Sequence, residues 1–276
     1  MGFVDAHSHV WTDEISRYPL APGFSVARLQ PRAFTPQTLL GHCRPSGVDR
    51  VVLIQVSHHG WDNSYLLDTI ASQPEVFGGV GMVDHRSPDL EAQVVSLAAR
   101  GIRGFRIRPG GERPDEWLEQ EGMRRLWSIS AERGLAVCPL VDPDALGALE
   151  RACGAFPRTP VVIDHMGRIG FAGPVREADV DALCSLAGHG GVRVKVSAFY
   201  GFGRKSPPHD DVSELIRRLH ASYGSKRLMW GSDCPFQVLR HRYEDSIAVI
   251  RDRLRFLSDS DREWMLGRTA EEVFFP

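Results

Sequence analysis

The chain has 276 residues, 42% of them hydrophobic and 25% charged, with a formal net charge of −2. That is the composition of an ordinary globular protein, with room for one large α/β domain or two small ones. So small a net charge gives no electrostatic basis for binding nucleic acid or an anionic membrane, and no run of about 18 apolar residues offers a membrane span.

Residues 3–7 read as a short strand that runs into Asp5-Ala6-His7-Ser8-His9. Two-residue alternation predicts Asp5, His7 and His9 on one face and Val4 and Ala6 on the other. Such a strand suits a barrel whose C-terminal end opens into a site. Two imidazoles on one face suit metal ligation or the polarisation of a carbonyl oxygen. The start carries no basic segment and no long apolar run, so no signal peptide is expected. Five cysteines (Cys43, Cys138, Cys153, Cys184 and Cys234) form no C-x-x-C pair. They read as reduced thiols of a cytoplasmic protein.

Residues 12–35 hold the breakers Tyr18-Pro19, Ala21-Pro22 and Gln30-Pro31. They predict a long loop, of a length that is usually functional. A helix follows over 36–43, then an apolar strand over 50–56 and the polar loop Ser57-His58-His59-Gly60-Trp61-Asp62-Asn63. Asp62 or Asn63 can cap the next helix, 64–72. Further strands are expected at 77–83, 102–108, 135–140, 161–165, 192–197 and 227–233. Helices are expected from Ser87-Pro88 to about Ala99, then over 117–133, 142–155, 177–187 and 210–223, with two more at 242–256 and 259–266. Eight strands alternating with helices in one chain of this size predict a single-domain TIM-type (β/α)8 barrel over residues 1–276. A doubly wound open sheet is the competing α/β fold, but no Gly-rich phosphate turn follows the first strand.

In such a barrel the site lies at the C-terminal mouth. Strand 1 brings His7 and His9 there, and strand 2 brings Gln55 and Ser57, with His58 and His59 beyond. Strand 4 brings Arg106 and Arg108, strand 6 His165, strand 7 Lys195 and Ser197, and strand 8 Asp233. Each residue alone has an ordinary structural explanation; their arrival at one mouth does not.

Asp5-x-His7-x-His9, Val162-Ile163-Asp164-His165-Met166-Gly167 and Gly231-Ser232-Asp233-Cys234-Pro235 resemble the amidohydrolase superfamily, of the amidohydrolase-2 type, along nearly the whole chain. Gln55, Gly60-x-Asp62-Asn63, Gly101-Ile102-Arg103-Gly104-Phe105-Arg106 and Val194-Lys195-Val196-Ser197 are similar to its lactonase branch, which includes 2-pyrone-4,6-dicarboxylate lactonases and sugar lactonases. The resemblance implies an enzyme that hydrolyses a small lactone bearing a carboxylate. Asp233 would activate water, while His7, His9 and His165, or a metal they hold, polarise the carbonyl.

Arg106 and Arg108 would grip the substrate carboxylate. Gln55, His59, Tyr200 and Arg204 would complete the substrate contacts, with Arg168 a further candidate and Trp11, Tyr18 and Tyr200 as pocket walls. Lys195 reads as structural, paired with Asp5 or Asp233. Binuclear members carry a histidine on strand 5, and residues 135–140 hold none. That leaves one divalent cation, zinc or manganese, on His7, His9 and Asp233, or a metal-free site. The alternatives are a metal-dependent decarboxylase, an amide hydrolase, or a barrel that only binds a ligand. The oligomeric state is not legible in the sequence.

Overall fold

Eight short, mostly apolar segments form the strands. In the computed structural model, which describes residues 2–276, these are β1 Phe3–Ser8, β2 Val48–Ile54, β3 Phe77–Gly81 and β4 Ile102–Ile107, then β5 Ala136–Pro139, β6 Val161–Ile163, β7 Val192–Ser197 and β8 Leu228–Gly231. They form one sheet in sequence order, every neighbouring pair parallel. Backbone bonds between the end of β1 and the segment after β8 bring the sheet's edges together. Asp233 N–H donates to His7 O and His9 N–H to Cys234 O, each at 2.7 Å. This is the expected single-domain TIM-type barrel, nearly closed.

Apart from a charge cluster at the strand ends, the inner faces of the strands are apolar. Val4, Ala6, Val52, Ile54, Val80 and Met229 pack in the barrel, with Phe274 of the last helix among them. The outward faces (Val51, Leu53, Phe105, Val137, Val194, Trp230) join the larger core beneath the helices. Each such side chain, fully withdrawn from water, contributes about 1.5–3 kcal/mol. Gly231 is required where β8 meets β1, since a Cβ there would lie 2.7 Å from the Cβ of His7.

The helices are α1 Pro36–Cys43, α2 Ser64–Ser72, α3 Leu90–Ala99, α4 Pro114–Glu119, α5 Glu121–Arg133 and α6 Leu146–Ala155, followed by α7 Glu177–Ser185, α8 Ser213–Tyr223, α9 Tyr243–Ala248, α10 Asp259–Glu263 and α11 Thr269–Phe274. Asp62 rather than Asn63 caps α2, its Oδ1 accepting from Ser64 N–H at 2.9 Å. The expected helix 117–133 begins earlier and is broken at Gln120, whose ψ of 140° is extended. The expected helix 242–256 ends at Arg253, its second half wound as a π-turn over Val249–Arg253. The last helix does not stop at Leu266. It continues through a π-turn, Trp264–Arg268, into α11, whose Phe274 reaches the barrel floor. The segment 12–35 is a loop apart from one 3-10 turn, Val26–Arg28, and a bridge from Trp11 to Phe34. No helix among the described residues is long and apolar enough to cross a membrane.

Candidate active site

The first strand departs from simple alternation. Its pairing with β2 shifts between Asp5 and Ser8, and the irregularity separates residues expected on one face. Val4 and Ala6 point into the barrel. Asp5 turns out of it and accepts hydrogen bonds from Ser8 Oγ (2.8 Å), Ser232 Oγ (2.6 Å) and Tyr243 Oη (2.8 Å). Asp5 is therefore a buried tie between β1, the segment after β8 and α9. Burial raises its carboxyl pKa, against the hydrogen bonds from Ser232, His7 and Tyr243.

Beyond the irregularity His7 and His9 enter the site with Asp233. His9 Nε2 lies 3.1 Å and His7 Nε2 3.6 Å from Asp233 Oδ1, and His165 Nε2 lies 3.8 Å from Oδ2. Tyr200 Oη donates to Oδ2 at 2.6 Å. All five residues are buried. Burial pushes the Asp233 carboxyl up, but His165, the His9 hydrogen bond and His7 outweigh it and hold the carboxyl below its usual range. Burial holds His165 down to about 4, so its imidazole is neutral near pH 7. His165, Ala198 and Asp233 follow β6, β7 and β8 with φ of 51°, 60° and 62°. Non-glycine residues in this left-handed region cost of order 1–3 kcal/mol each, and such strain collects at functional sites. Here it turns the chain sharply and aims His165 and Asp233 into the mouth.

Behind the histidines lies a buried charge cluster. Lys195 Nζ is 3.1 Å from Asp164 Oδ1 and 3.3 Å from His7 Nδ1. Arg106 Nε is 3.5 Å from Asp164 Oδ2, and His7 Nδ1 is 3.3 Å from Oδ1. Lys195 thus pairs with Asp164, not with Asp5 or Asp233, because β6 and β7 are neighbours and both residues face inward at their ends. Burial favours the neutral Asp164, yet Lys195, His7 and Arg106 together keep its pKa well below the carboxylate range. Burial and the Lys195 ammonium push His7 well below the usual imidazole value.

The cavity above these groups is about 460 Å³ and is lined by His9, His58, Arg106, His165, Tyr200 and Asp233, among others. Arg168, Phe171 and Phe236 form part of its wall. Several residues expected to touch substrate lie elsewhere. Gln55 donates to the carbonyl of Asp62 at 2.5 Å and holds the loop after β2. His59 turns its Nδ1 to Pro19 O at 2.9 Å, and its neighbour His58 takes the place on the wall. Arg108 is exposed at the rim and donates to Ser57 Oγ at 2.8 Å. Arg204 lies on the surface, 4.0 Å from Asp211, away from the cavity. In these loops turn geometry decides which of two adjacent side chains faces inward, and alternation cannot supply that. Asp164 was legible in principle, since it stands beside His165 at a strand end. The Tyr200 bond to Asp233 has no sequence signal.

Two groups of side chains present ligand atoms close enough to hold a cation: His7, His9 and Asp233, and His7, Asp164 and His165. The first fits. His9 Nδ1 donates to Ile54 O at 2.7 Å, which leaves a lone pair on Nε2 facing Asp233 Oδ1 at 3.1 Å. Two acceptors so placed need a proton or a cation between them, and the buried Nε2 of His7 has no partner of its own. In the second group Lys195 and Arg106 already supply positive charge to Asp164.

The family profile described as Amidohydrolase matches residues 4–275. The chain is 32% identical over 246 residues to an L-fucono-1,5-lactonase of Burkholderia ambifaria, an alignment covering 88% of this chain and 83% of that protein. It is 28% identical over 240 residues to a 4-sulfomuconolactone hydrolase of Rhizobium radiobacter, covering 85% and 76%. Its fold matches a crystal structure of an amidohydrolase from Burkholderia multivorans with bound zinc, at TM-score 0.82 and 20% identity, covering 100% and 99% of the two chains.

Proposed function

The chain belongs to the amidohydrolase family, and from that membership we propose that it is a hydrolase that opens the ring of a small, carboxylate-bearing lactone. The observation that carries the reading is the convergence on Asp233 of His7, His9, His165 and Tyr200, all within 3.8 Å of its carboxylate oxygens, at the mouth of the barrel. The L-fucono-1,5-lactonase and 4-sulfomuconolactone hydrolase relatives support the choice of a lactone.

Hydrolysis needs a water nucleophile, a base and donors for the oxyanion. Asp233 is the base: it stays ionised and takes a proton from water as the oxygen attacks the lactone carbonyl carbon. A carboxylate held below its usual range is a weaker base than a free one, so polarisation of the carbonyl must share the work. His165, neutral and facing the cavity, is the donor placed to stabilise the oxyanion. When the tetrahedral intermediate collapses, the ring carbon–oxygen bond breaks and Asp233 returns its proton to the leaving alkoxide. The product is one open-chain hydroxy acid. His7, His9 and Asp233 would hold a single divalent cation such as zinc or manganese, which supplies Lewis-acid polarisation when bound. Arg106, with Arg168 on the same wall, would anchor the substrate carboxylate. The free cysteines support a reducing, cytoplasmic compartment.

Acid release from a panel of sugar lactones, muconolactones and pyrone dicarboxylates tests the reading. Turnover of at least one class, lowered by about 10²–10⁴-fold in Asp233→Asn, is expected. Release of carbon dioxide instead of an acid alone would replace the lactonase with a decarboxylase.

A further inference from the structure

Beside the catalytic cavity lies a second chamber of about 310 Å³, and Arg106 and Ser57 line both. Its floor is apolar: Ile107, Trp117, Met123 and Leu126 are buried there. Its rim carries Phe24 from the long loop after β1 and Trp61 from the loop after β2, 41% and 54% exposed. Trp61 is the most exposed large apolar side chain among the described residues. Leaving two aromatic rings in water costs free energy that a ligand stacked between them would recover.

The rim is held in place rather than loose. Ala21 N–H donates to His58 O at 2.8 Å, His59 Nδ1 meets Pro19 O at 2.9 Å, and Gly60 packs so closely on Ala21 that a Cβ there would lie 2.9 Å from the alanine methyl. The two loops thus form one body over the chamber. The polar groups in the chamber's wall are already engaged. Arg86 Nη2 donates to Glu112 Oε1 at 2.6 Å, His85 Nε2 pairs with Gln120 Oε1 at 2.9 Å, and Arg108 Nη1 is bound to Ser57 Oγ. The apolar floor and the two aromatic rings of the rim are left without a partner.

We infer that this chamber receives an aryl or similarly flat apolar arm carried by the lactone ring, so that the substrate is a substituted lactone and not a bare sugar lactone. The inference rests on the lactone-hydrolase reading and adds the substrate class to it. The ring occupies the cavity above Asp233, and the arm passes Arg106 and Ser57 to lie between Phe24 and Trp61.

The test compares a γ-lactone carboxylate and a δ-lactone carboxylate, each with and without a phenyl substituent. In the wild-type enzyme the phenyl group should raise kcat/KM about tenfold, the effect of burying one aromatic face. Trp61→Ala and Phe24→Ala should each remove most of that gain and leave the unsubstituted lactone within about twofold of wild type, while Trp61→Phe should retain the gain. No gain from the phenyl group, or equal losses on both substrates, would overturn the inference while the hydrolase reading stands. If none of the four lactones is hydrolysed, the hydrolase reading is decided by the wider lactone panel, and the chamber is judged by calorimetry on the matching open-chain hydroxy acids. Tighter binding of the phenyl-bearing acid that Trp61→Ala abolishes would sustain the chamber; equal binding would overturn it.

Discussion

Replacing Asp164 by Asn neutralises the one carboxylate that holds the charge cluster beneath the site. Lys195 Nζ lies 3.1 Å and Arg106 Nε 3.5 Å from its oxygens, and the lysine and aspartate side chains are fully buried. At an effective dielectric of about 20, each attraction is about 5 kcal/mol in gross terms. Most of that offsets the desolvation of the charges. Breaking a buried pair from one side nevertheless costs about 3–5 kcal/mol, because the remaining charge is stranded. Asp164→Asn strands the Lys195 ammonium, with His7 Nδ1 and the face of the Phe274 ring near it. Lys195→Met leaves Asp164 with Arg106 and His7, so its cost should be smaller, about 1–3 kcal/mol. The double variant removes both members of the pair and should cost less than the sum of the single changes.

Urea unfolding followed by circular dichroism reads these differences as midpoint shifts at constant slope. The pH dependence has a definite sign. Asp164 is held below its ordinary value of 3.8 in the folded state. Its contribution is therefore complete above that value and is lost as pH falls through the folded-state pKa. The gap between wild type and Asp164→Asn should be widest near neutrality and narrow in acid. An Asp164→Asn protein within about 1 kcal/mol of wild type, a costlier Lys195→Met, or strict additivity would refute this account of the cluster.

Asp233→Asn should lower kcat by about 10²–10⁴-fold while barely changing the dissociation constant of a product acid, measured by calorimetry. Arg106→Ala should chiefly raise KM for acidic lactones and spare neutral ones; equal effects on both would remove its role as the carboxylate anchor. The His7, His9 and Asp233 group predicts at most one divalent ion per chain by elemental analysis, lost in His9→Ala; two ions per chain would contradict it. Gly231→Ala should destabilise the fold by about 1–3 kcal/mol, since its methyl would meet His7 where β8 approaches β1, and the urea midpoint should fall accordingly.

The alternation of apolar strands and helices was enough to specify the barrel, because each strand must bury both faces and each helix one, and that periodicity is local. The same alternation placed His7, His9, His165 and Asp233 at strand ends, and a barrel brings all strand ends to one mouth. Residues at the ends of regular elements were therefore legible. Those governed by departures from regularity were not. The pairing shift in β1 sends Asp5 out of the barrel, the loop after β2 exchanges His59 for His58, and Arg204 follows its own loop to the surface. The partner of Lys195 could not be read from spacing, because Asp164 is 31 positions away and meets it only across the β6–β7 pair. The Tyr200 bond to Asp233 likewise depends on the left-handed turn at Ala198. Local pattern determines which residues lie on a strand; which side chain a turn or an irregular pairing aims inward is settled only when the whole chain packs.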